Sequence, residues 1–363
     1  MILESLKLVD YRNISSLEVE FDDSVNVIYG LNGQGKTNLV ESIDFLSSLK
    51  SFRRDPTESL VKLDSDFSVI EARFKETSIK YQVRLVLNSN GTKIVFNHQE
   101  LKKNSDFIGI FNVITFSPDD VSLFKDSPKR RREFIDEEIS KMSPSYYHLL
   151  LDYKKVLKER NELLKQDKLD KLFFEVITKR IAKLNLEIYK RRESFLKSLN
   201  EILKDKFKQV SKIDKEIFIE YDSFVDKDNI TYENIYQQLI ENKEDDVKYK
   251  STQLGIHRDD LLFKMDDKPI AIFGSQGQMR LCIIATKLSL LDVSYNKTGG
   301  RAIVVFDDVL SELDIIRQEQ ILNSVPKENQ IFITTAQQKE QIKSILKIGK
   351  MLKMTNGHLE TEE

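Results

Sequence analysis

The chain has 363 residues, 40% of them apolar and 32% charged, with a formal net charge of −2. That composition suits a globular protein of two domains or one elaborated domain, and it offers no overall positive field to draw in nucleic acid. The single cysteine, Cys282, excludes a disulfide framework and a Cys-rich zinc site, and no apolar run approaches the ~18–20 residues of a membrane span.

The N-terminus, "MILESLKLVDYRNI", carries an acid at Glu4 and alternates polar with apolar residues, unlike a signal peptide. A protein of the cytoplasm with no membrane partner is expected. Residues 1–118 read as strand-rich: "LESLKLVDYR" and "SSLEVEFD" alternate, "VNVIYG" is a short buried strand, and "IKYQVRLVLN" with "TKIVFN" flanks an "SNG" turn as a hairpin. Residues 119–249 read as helical and heavily charged. One helix starts at Pro144 behind Ser143; another runs from about Leu169 to Val210, with Ile177, Ile181, Leu184, Ile188, Phe195, Leu199 and Ile202 stepping by three and four. These two are expected to pack as a hairpin around a "KQDK" turn. Residues 250–363 return to strands and helices, and "RAIVVFDD" and "NQIFITTA" are apolar strands of the parallel kind.

"GLNGQGKT", Gly30 to Thr37, follows a strand and precedes a helix, which is the context of a phosphate-binding loop. Gly30, Gly33 and Gly35 let backbone N–H groups converge on phosphate oxygens, and the helix N-terminus adds partial positive charge. Leu31, Asn32, Gln34 and Asn38 complete the expected cradle for ATP. Lys36 can reach the β- and γ-phosphates, and the Thr37 hydroxyl can ligate Mg²⁺. Such a loop needs a carboxylate for the metal. "AIVVFDD" supplies Asp307 for that purpose, with Asp308 beside it to polarise the attacking water.

The combination of "LKLVDYRNI", "YGLNGQGKTNLVESI", "FSPDDVSLFKDSPKRRREFID", "LGIHRDDL", "FGSQGQMR" and "VVFDDVLSELD", in that order along nearly the whole chain, resembles the RecF family, SMC-like members of the ABC ATPases. The resemblance implies an α/β fold: a P-loop ATPase head with mixed and parallel sheets. Its halves would be 1–118 and 250–363, with a helical arm, 119–249, inserted between them. It also implies that "SQGQ" is a variant ABC signature. Ser275, Gly277 and Gln278 would then grip the ATP of a second copy, and "SELD", ending at Asp314, would be the D-loop crossing the same interface. The plainer reading of Ser275 is a helix cap. Arg12, in "DYRN", stands where SMC-like heads bring an arginine toward the nucleotide; an exposed strand-end arginine is the alternative. His257 is read as a structural hydrogen-bonding group.

The chain departs from ABC transporters in three places. The second acid is Asp308 instead of Glu, "ITFSPDD" offers no Q-loop glutamine, and "IFITTAQ" has Thr334 and Thr335 where a histidine is usual. Slow hydrolysis that times a clamp is therefore expected, stimulated by DNA.

Basic runs bear on DNA. "KDSPKRRREF" holds Lys125, Lys129, Arg130, Arg131 and Arg132; "LKSFRRD" holds Lys50, Arg53 and Arg54; and "KRRE" adds Lys190, Arg191 and Arg192. One such run alone is usually a solvated face, but three suggest a surface that neutralises phosphates without reading sequence. The resemblance implies duplex DNA or a single-strand to double-strand junction as ligand, an ATP-dependent homodimer, and work with RecO and RecR to load RecA in gap repair, replication restart and the SOS response. Two other classes compete: the ATPase subunit of an ABC transporter, and a non-enzymatic DNA-bridging protein.

Overall fold

The computed structural model describes residues 1–225, 227, 230–336 and 349–361. In chain order the described elements begin with strands β1 (Ile2–Tyr11), β2 (Ile14–Glu20) and β3 (Val25–Tyr29), then helix α1 (Lys36–Ser48). Strands β4 (Ser68–Glu76), β5 (Ile79–Asn88), β6 (Gly91–Phe96), β7 (Gln99–Glu100) and β8 (Val113–Phe116) follow. Next come α2 (Pro128–Met142), α3 (Pro144–Leu164), α4 (Lys171–Ser211), β9 (Ile217–Asp222), α5 (Tyr232–Glu241) and α6 (Lys243–Tyr249). After these lie β10 (Asp260–Met265), β11 (Lys268–Pro269), α7 (Ile270–Phe273) and α8 (Gln276–Thr298). The last are β12 (Ile303–Asp307), α9 (Ile315–Asn323), β13 (Ile331–Thr335), β14 (Lys350–Thr355) and β15 (His358–Thr361).

These elements form two compact units. The first is Met1–Val121 with Asp205–Asp214 and Arg280–Glu363; the second is Ser122–Lys204 with Lys215–Met279. Residues 250–279, expected with the C-terminal half of the head, lie in the second unit. The physical reason is strand pairing: β10 runs antiparallel to β9, from Asp260 opposite Asp222 to Met265 opposite Ile217. The strand β9 interrupts a stretch expected to be helical, although "IFIEYD" does carry the period-two burial of a strand.

The first unit holds two sheets. One, ordered β2-β1-β4-β5-β6-β7, is antiparallel, and its β5–β6 hairpin closes at Asn88 opposite Gly91, as the "SNG" turn predicts. The other is ordered β15-β14-β3-β13-β12-β8; β14, β3, β13, β12 and β8 run parallel, and β15 joins antiparallel. Helix α1 is buried on nearly every side because both sheets cover it. Leu39, Val40, Ile43, Phe45 and Leu46 share one apolar cluster with Leu6, Leu8 and Ile70 of the antiparallel sheet and with Ile28, Val305 and Phe332 of the parallel one. Buried Gln330 fastens the sheets together. Its side chain accepts from the Leu3 N–H (2.8 Å) and donates to the carbonyls of Leu3 (2.9 Å) and Asp22 (2.8 Å). This satisfies backbone groups beside the register shift between Leu3 and Ser5.

In the second unit, α3 and α4 span the predicted helical hairpin almost to the residue. Its centre is polar. Buried Arg192, on α4, donates to both carboxylate oxygens of Asp136 at 2.9 Å, to the Ile256 carbonyl at 3.0 Å and to the Tyr221 hydroxyl at 3.3 Å. Asp136 also accepts from Tyr146 (2.6 Å), and Tyr221 donates to Asp259 (2.6 Å). A buried guanidinium with one partner removed leaves an uncompensated charge, so these groups are tightly interdependent. Replacing Asp136 with alanine should cost about 3–5 kcal/mol of stability, read as a lower urea midpoint, whereas Lys190→Ala, an exposed neighbour of Arg192, should leave the midpoint within error.

Candidate functional site

Parallel strand order dictates where chemistry gathers. The C-terminal ends of β3, β13 and β12 lie side by side, with Thr335 paired to Tyr29 and Asp307 to Thr334. Loop 30–35 therefore leaves β3 directly beside the acid at the end of β12, the crevice where parallel sheets bind ligands.

The loop is glycine-dependent at three positions, with φ of 151° at Gly30, 79° at Gly33 and 109° at Gly35. A Cβ on Gly30 would lie 2.4 Å from the Met354 carbonyl oxygen, and one on Gly35 would lie 2.9 Å from Asn13 Oδ1. The turn between β14 and β15 braces the loop from outside: the Asn356 N–H donates to Gln34 Oε1 (2.6 Å) and the Gly357 N–H to the Gln34 carbonyl (2.9 Å). Asn38 donates to Asn13 Oδ1 at 2.7 Å. Lys36 is buried, and its Nζ donates to the carbonyls of Gly30 (2.7 Å) and Leu31 (2.8 Å), closing the loop over the helix start. Burial pushes the Lys36 ammonium below its ordinary range, while Asp308 and Asp307 pull it back up. It is the residue best placed to gain from an arriving polyanion.

Asp307 is buried and accepts two hydroxyls on Oδ1, from Thr37 at 2.9 Å and from Thr334 at 2.7 Å. Burial raises its carboxyl above the ordinary carboxylate range; the two hydroxyls and the Arg53 charge oppose the shift, and Asp308 adds to it. A carboxylate in contact with the P-loop threonine, with a second acid next along the chain, is a suitable donor set for a hard divalent cation such as Mg²⁺. Asp308 sits in the left-handed region (φ 53°); its N–H donates to Thr334 Oγ1 (3.0 Å) and its Oδ1 accepts from Ser311 (2.7 Å). Thr334, in the position where a histidine is usual, is thus occupied in positioning both acids. Beyond β8, the segment that lacks a Q-loop glutamine is held by Lys287, which donates to the Thr115 carbonyl and pairs with Asp120, both at 2.5 Å.

Other expected site residues fall into different settings. Arg12 donates to both oxygens of buried Glu41 on α1 (2.9 and 2.7 Å) and to Asp55 (2.6 Å), so most of its donors are engaged at the flank of the P-loop helix. Ser275 and Gln278 form a reciprocal capping box at the start of α8. The Ser275 N–H donates to Gln278 Oε1 (2.9 Å), and the Gln278 N–H donates to Ser275 Oγ (3.2 Å). Ser275, Gln276 and Gly277 are exposed, and a Cβ on Gly277 would meet nothing within 4 Å. Asp314 caps α9 by accepting the Arg317 N–H at 2.8 Å.

The basic runs divide. Lys125, Lys129, Lys50 and Arg54 are exposed and Arg53 is half-buried. Arg130 lies 3.8 Å from Asp126. Arg131 makes a two-pronged pair with Asp260 (2.7 and 2.8 Å), and Arg132 donates to the Asp259 carbonyl. These last two guanidiniums serve cohesion within the second unit. Sequence charge alone could not separate them from their exposed neighbours; the acids of "HRDD", well downstream, were the available signal. Arg192 of "KRRE" is likewise internal. Glu41 and Thr334, which orient Arg12 and the acid pair, were not singled out from sequence.

Fold and site together define a P-loop ATPase head of the SMC type, and the chain matches the RecF/RecN/SMC N terminal domain over residues 2–360. The DNA replication and repair protein RecF of Oceanobacillus iheyensis is 35% identical over 366 residues, covering 98% of this chain and 99% of its own. That of Oenococcus oeni is 37% identical over 372 residues, covering 99% of each. A solved structure of the recombination mediator protein RecF with ATP, in the RecFOR pathway, superposes with a TM-score of 0.92 at 30% identity, across 100% of this chain and 98% of that one. The chain belongs to the RecF family.

His257 lies in the second unit, away from these motifs in sequence. Its Nε2–H donates to the Thr252 carbonyl (3.1 Å), which leaves Nδ1 to accept from the Tyr153 hydroxyl (2.7 Å). Burial holds the imidazole down at about 4; the Thr252 carbonyl and Asp246 act the other way, and the charges of Arg258 and Arg132 add to the depression. The folded state therefore binds this proton less readily than the unfolded chain, whose histidine titrates near 6.5. Stability is full above that value and declines as the pH falls through this window, by up to about 3 kcal/mol. His257→Gln should show a shallower loss between pH 6.5 and 4 in urea titrations; parallel curves for the two proteins would refute this.

Proposed function

We propose that this protein is an ATP-dependent DNA-binding ATPase of recombinational gap repair, in which ATP joins two copies into a clamp on DNA. The observation that carries this reading is the contact of Thr37 and Thr334 with a single oxygen of Asp307, directly beneath a P-loop. Mg²⁺ would supply charge neutralisation between the phosphates and Asp307. The backbone of 30–37 and Lys36 bind and orient the triphosphate, Thr37 and Asp307 hold the metal, and Asp308, fixed by Ser311, orients water. Arg12 braces α1 through Glu41 and reaches the nucleotide's surroundings with its remaining donor.

Each copy offers its exposed Ser275, Gly277 and Gln278, with Asp314 behind them, to the ATP of the other. With Thr334 committed to the two acids, no side chain at that position is available as a proton acceptor, which favours slow turnover and a switch-like use of ATP. Residues 1–118 and 250–363 are assigned as the head, and the helical hairpin with its small sheet as the arm. The described helices include none long and apolar enough to cross a membrane. The family's printed roles extend the reading to partnership with RecO and RecR, and through them RecA, in the cytoplasm.

Sedimentation with Mg²⁺ and ATP tests the clamp. Wild type should shift from monomer to dimer; Lys36→Met should lose nucleotide binding and dimers together, and Ser275→Arg should lose dimers while each chain still binds ATP. Dimerisation of Ser275→Arg at wild-type concentrations would refute the signature assignment.

DNA contact is assigned to the exposed cations Lys125, Lys129, Lys50 and Arg54, with Arg53 and Arg130 adding charge at their sides and Arg131 and Arg132 acting by holding the second unit together. Lys125→Glu with Lys129→Glu should weaken duplex binding roughly tenfold at low salt and flatten its salt dependence, with ATP binding intact. An unchanged affinity would remove this cluster from the site.

A further inference from the structure

We infer that Ile272 and Phe273 form an apolar docking surface for a second copy of this chain, buried when two copies close on ATP. The inference rests on the dimer reading above and adds to it a contact made without any nucleotide atom.

The surface is built by the turn that precedes the signature segment. Ile270 is buried and anchors the short helix α7. The Gly274 N–H donates back to the Ile270 carbonyl at 2.9 Å, and a Cβ at position 274 would lie 2.6 Å from that same oxygen and 2.6 Å from Ile270 Cγ1. Only glycine permits so tight a return. With Ile270 turned inward, the next side chains face water: Ile272 is 73% exposed and Phe273 65%. The contact recorded for the Phe273 ring is with the Lys268 ammonium, 5.8 Å from its centre. Immediately afterward, the Ser275–Gln278 capping box fixes the start of α8, so the apolar pair is carried on a defined turn.

Two further segments repeat this arrangement. Leu31, inside the P-loop, is 76% exposed, and Ile315 and Ile316, directly after Asp314, are 59% and 68% exposed. Each of the three polar motifs proposed to meet across two copies therefore has a bare, large apolar side chain within three residues of it. Such side chains gain nothing from phosphate and are unfavourable in water. A partner of another kind would need one patch; a head-to-tail pair of identical chains uses one segment from one copy against different segments of the other, and so calls for all three. The occupant is accordingly a second copy.

The experiment measures the dimer dissociation constant of the full chain by sedimentation, with Mg²⁺ and a nonhydrolysable ATP analogue, and in parallel the affinity of each chain for a fluorescent form of that analogue. Ile272→Ser with Phe273→Ser should raise the dimer constant roughly 30-fold, with nucleotide affinity unchanged under dilute, monomeric conditions. The conservative pair Ile272→Leu with Phe273→Tyr should stay within about threefold of wild type. Leu172→Ser with Phe173→Ser, an equally bare pair at the start of α4, should have no effect. If wild type itself stays monomeric with analogue bound, the clamp reading fails and this inference with it. If wild type dimerises and the serine pair dimerises equally well, or if Leu172 and Phe173 matter as much, the inference alone is overturned. Should the serine pair unfold, Ile272→Glu alone, which keeps the aromatic ring, must give the same loss of dimer or the docking surface is rejected.

Discussion

One buried carboxylate oxygen organises this molecule. Asp307 Oδ1 takes a hydroxyl from the first turn of α1 and another from the end of β13. Leaving that acid unpaired would be costly, so the helix, the strand and the loop between them have one favourable arrangement. The parallel register that puts Asp307 beside Thr334, and Thr335 beside Tyr29, supplies the geometry. The sandwich of α1 between two sheets supplies the rigidity. Raising the carboxyl's affinity for protons by burial is also what prepares the same oxygen for a divalent cation, because both partners relieve the same desolvated charge.

The rest of the first unit defends that arrangement. Gln330 holds the sheets in register through three hydrogen bonds, Arg12 locks α1 from the side through Glu41, and the turn at Asn356 and Gly357 holds the P-loop from without. None of these groups has to touch a nucleotide. Each removes freedom from a loop whose task is to present backbone amides in fixed directions, and preorganised dipoles are worth more than flexible ones.

The second unit makes different use of charge. Its Arg192, Arg132, Arg160 and Arg131 are directed inward to Asp136, the Asp259 carbonyl, Asp246 and Asp260. Such pairs contribute little net stability compared with an apolar core, yet they tolerate few alternative packings. A plausible physical benefit is a unit of fixed shape built largely from exposed, charged helices. The same choice explains why runs of arginine in this sequence mark two things at once: solvent-facing cations at Lys125 and Lys129, and internal fasteners a few residues later.

Much of this was legible from residue order. Local signals are short-range: a glycine spacing, a period of two or of three to four, a proline behind a serine. They fixed the P-loop between β3 and α1, the apolar strands that became β12 and β13, the β5–β6 hairpin and the bounds of α3 and α4. The strand β9 escaped because five or six alternating residues within a long helical, charged stretch carry too little weight alone, and its partner β10 lies some forty residues on. For the same reason the sequence could not tell an exposed Lys129 from an internal Arg131, two positions later on one helix. Which face of α2 meets β10 depends on packing between distant segments, and so do the partners of Arg12, the brace on Gln34 and the bare turn at Ile272. Periodicity along a chain specifies what each segment can be; only the closing of distant segments on one another decides which of its side chains remain for other molecules.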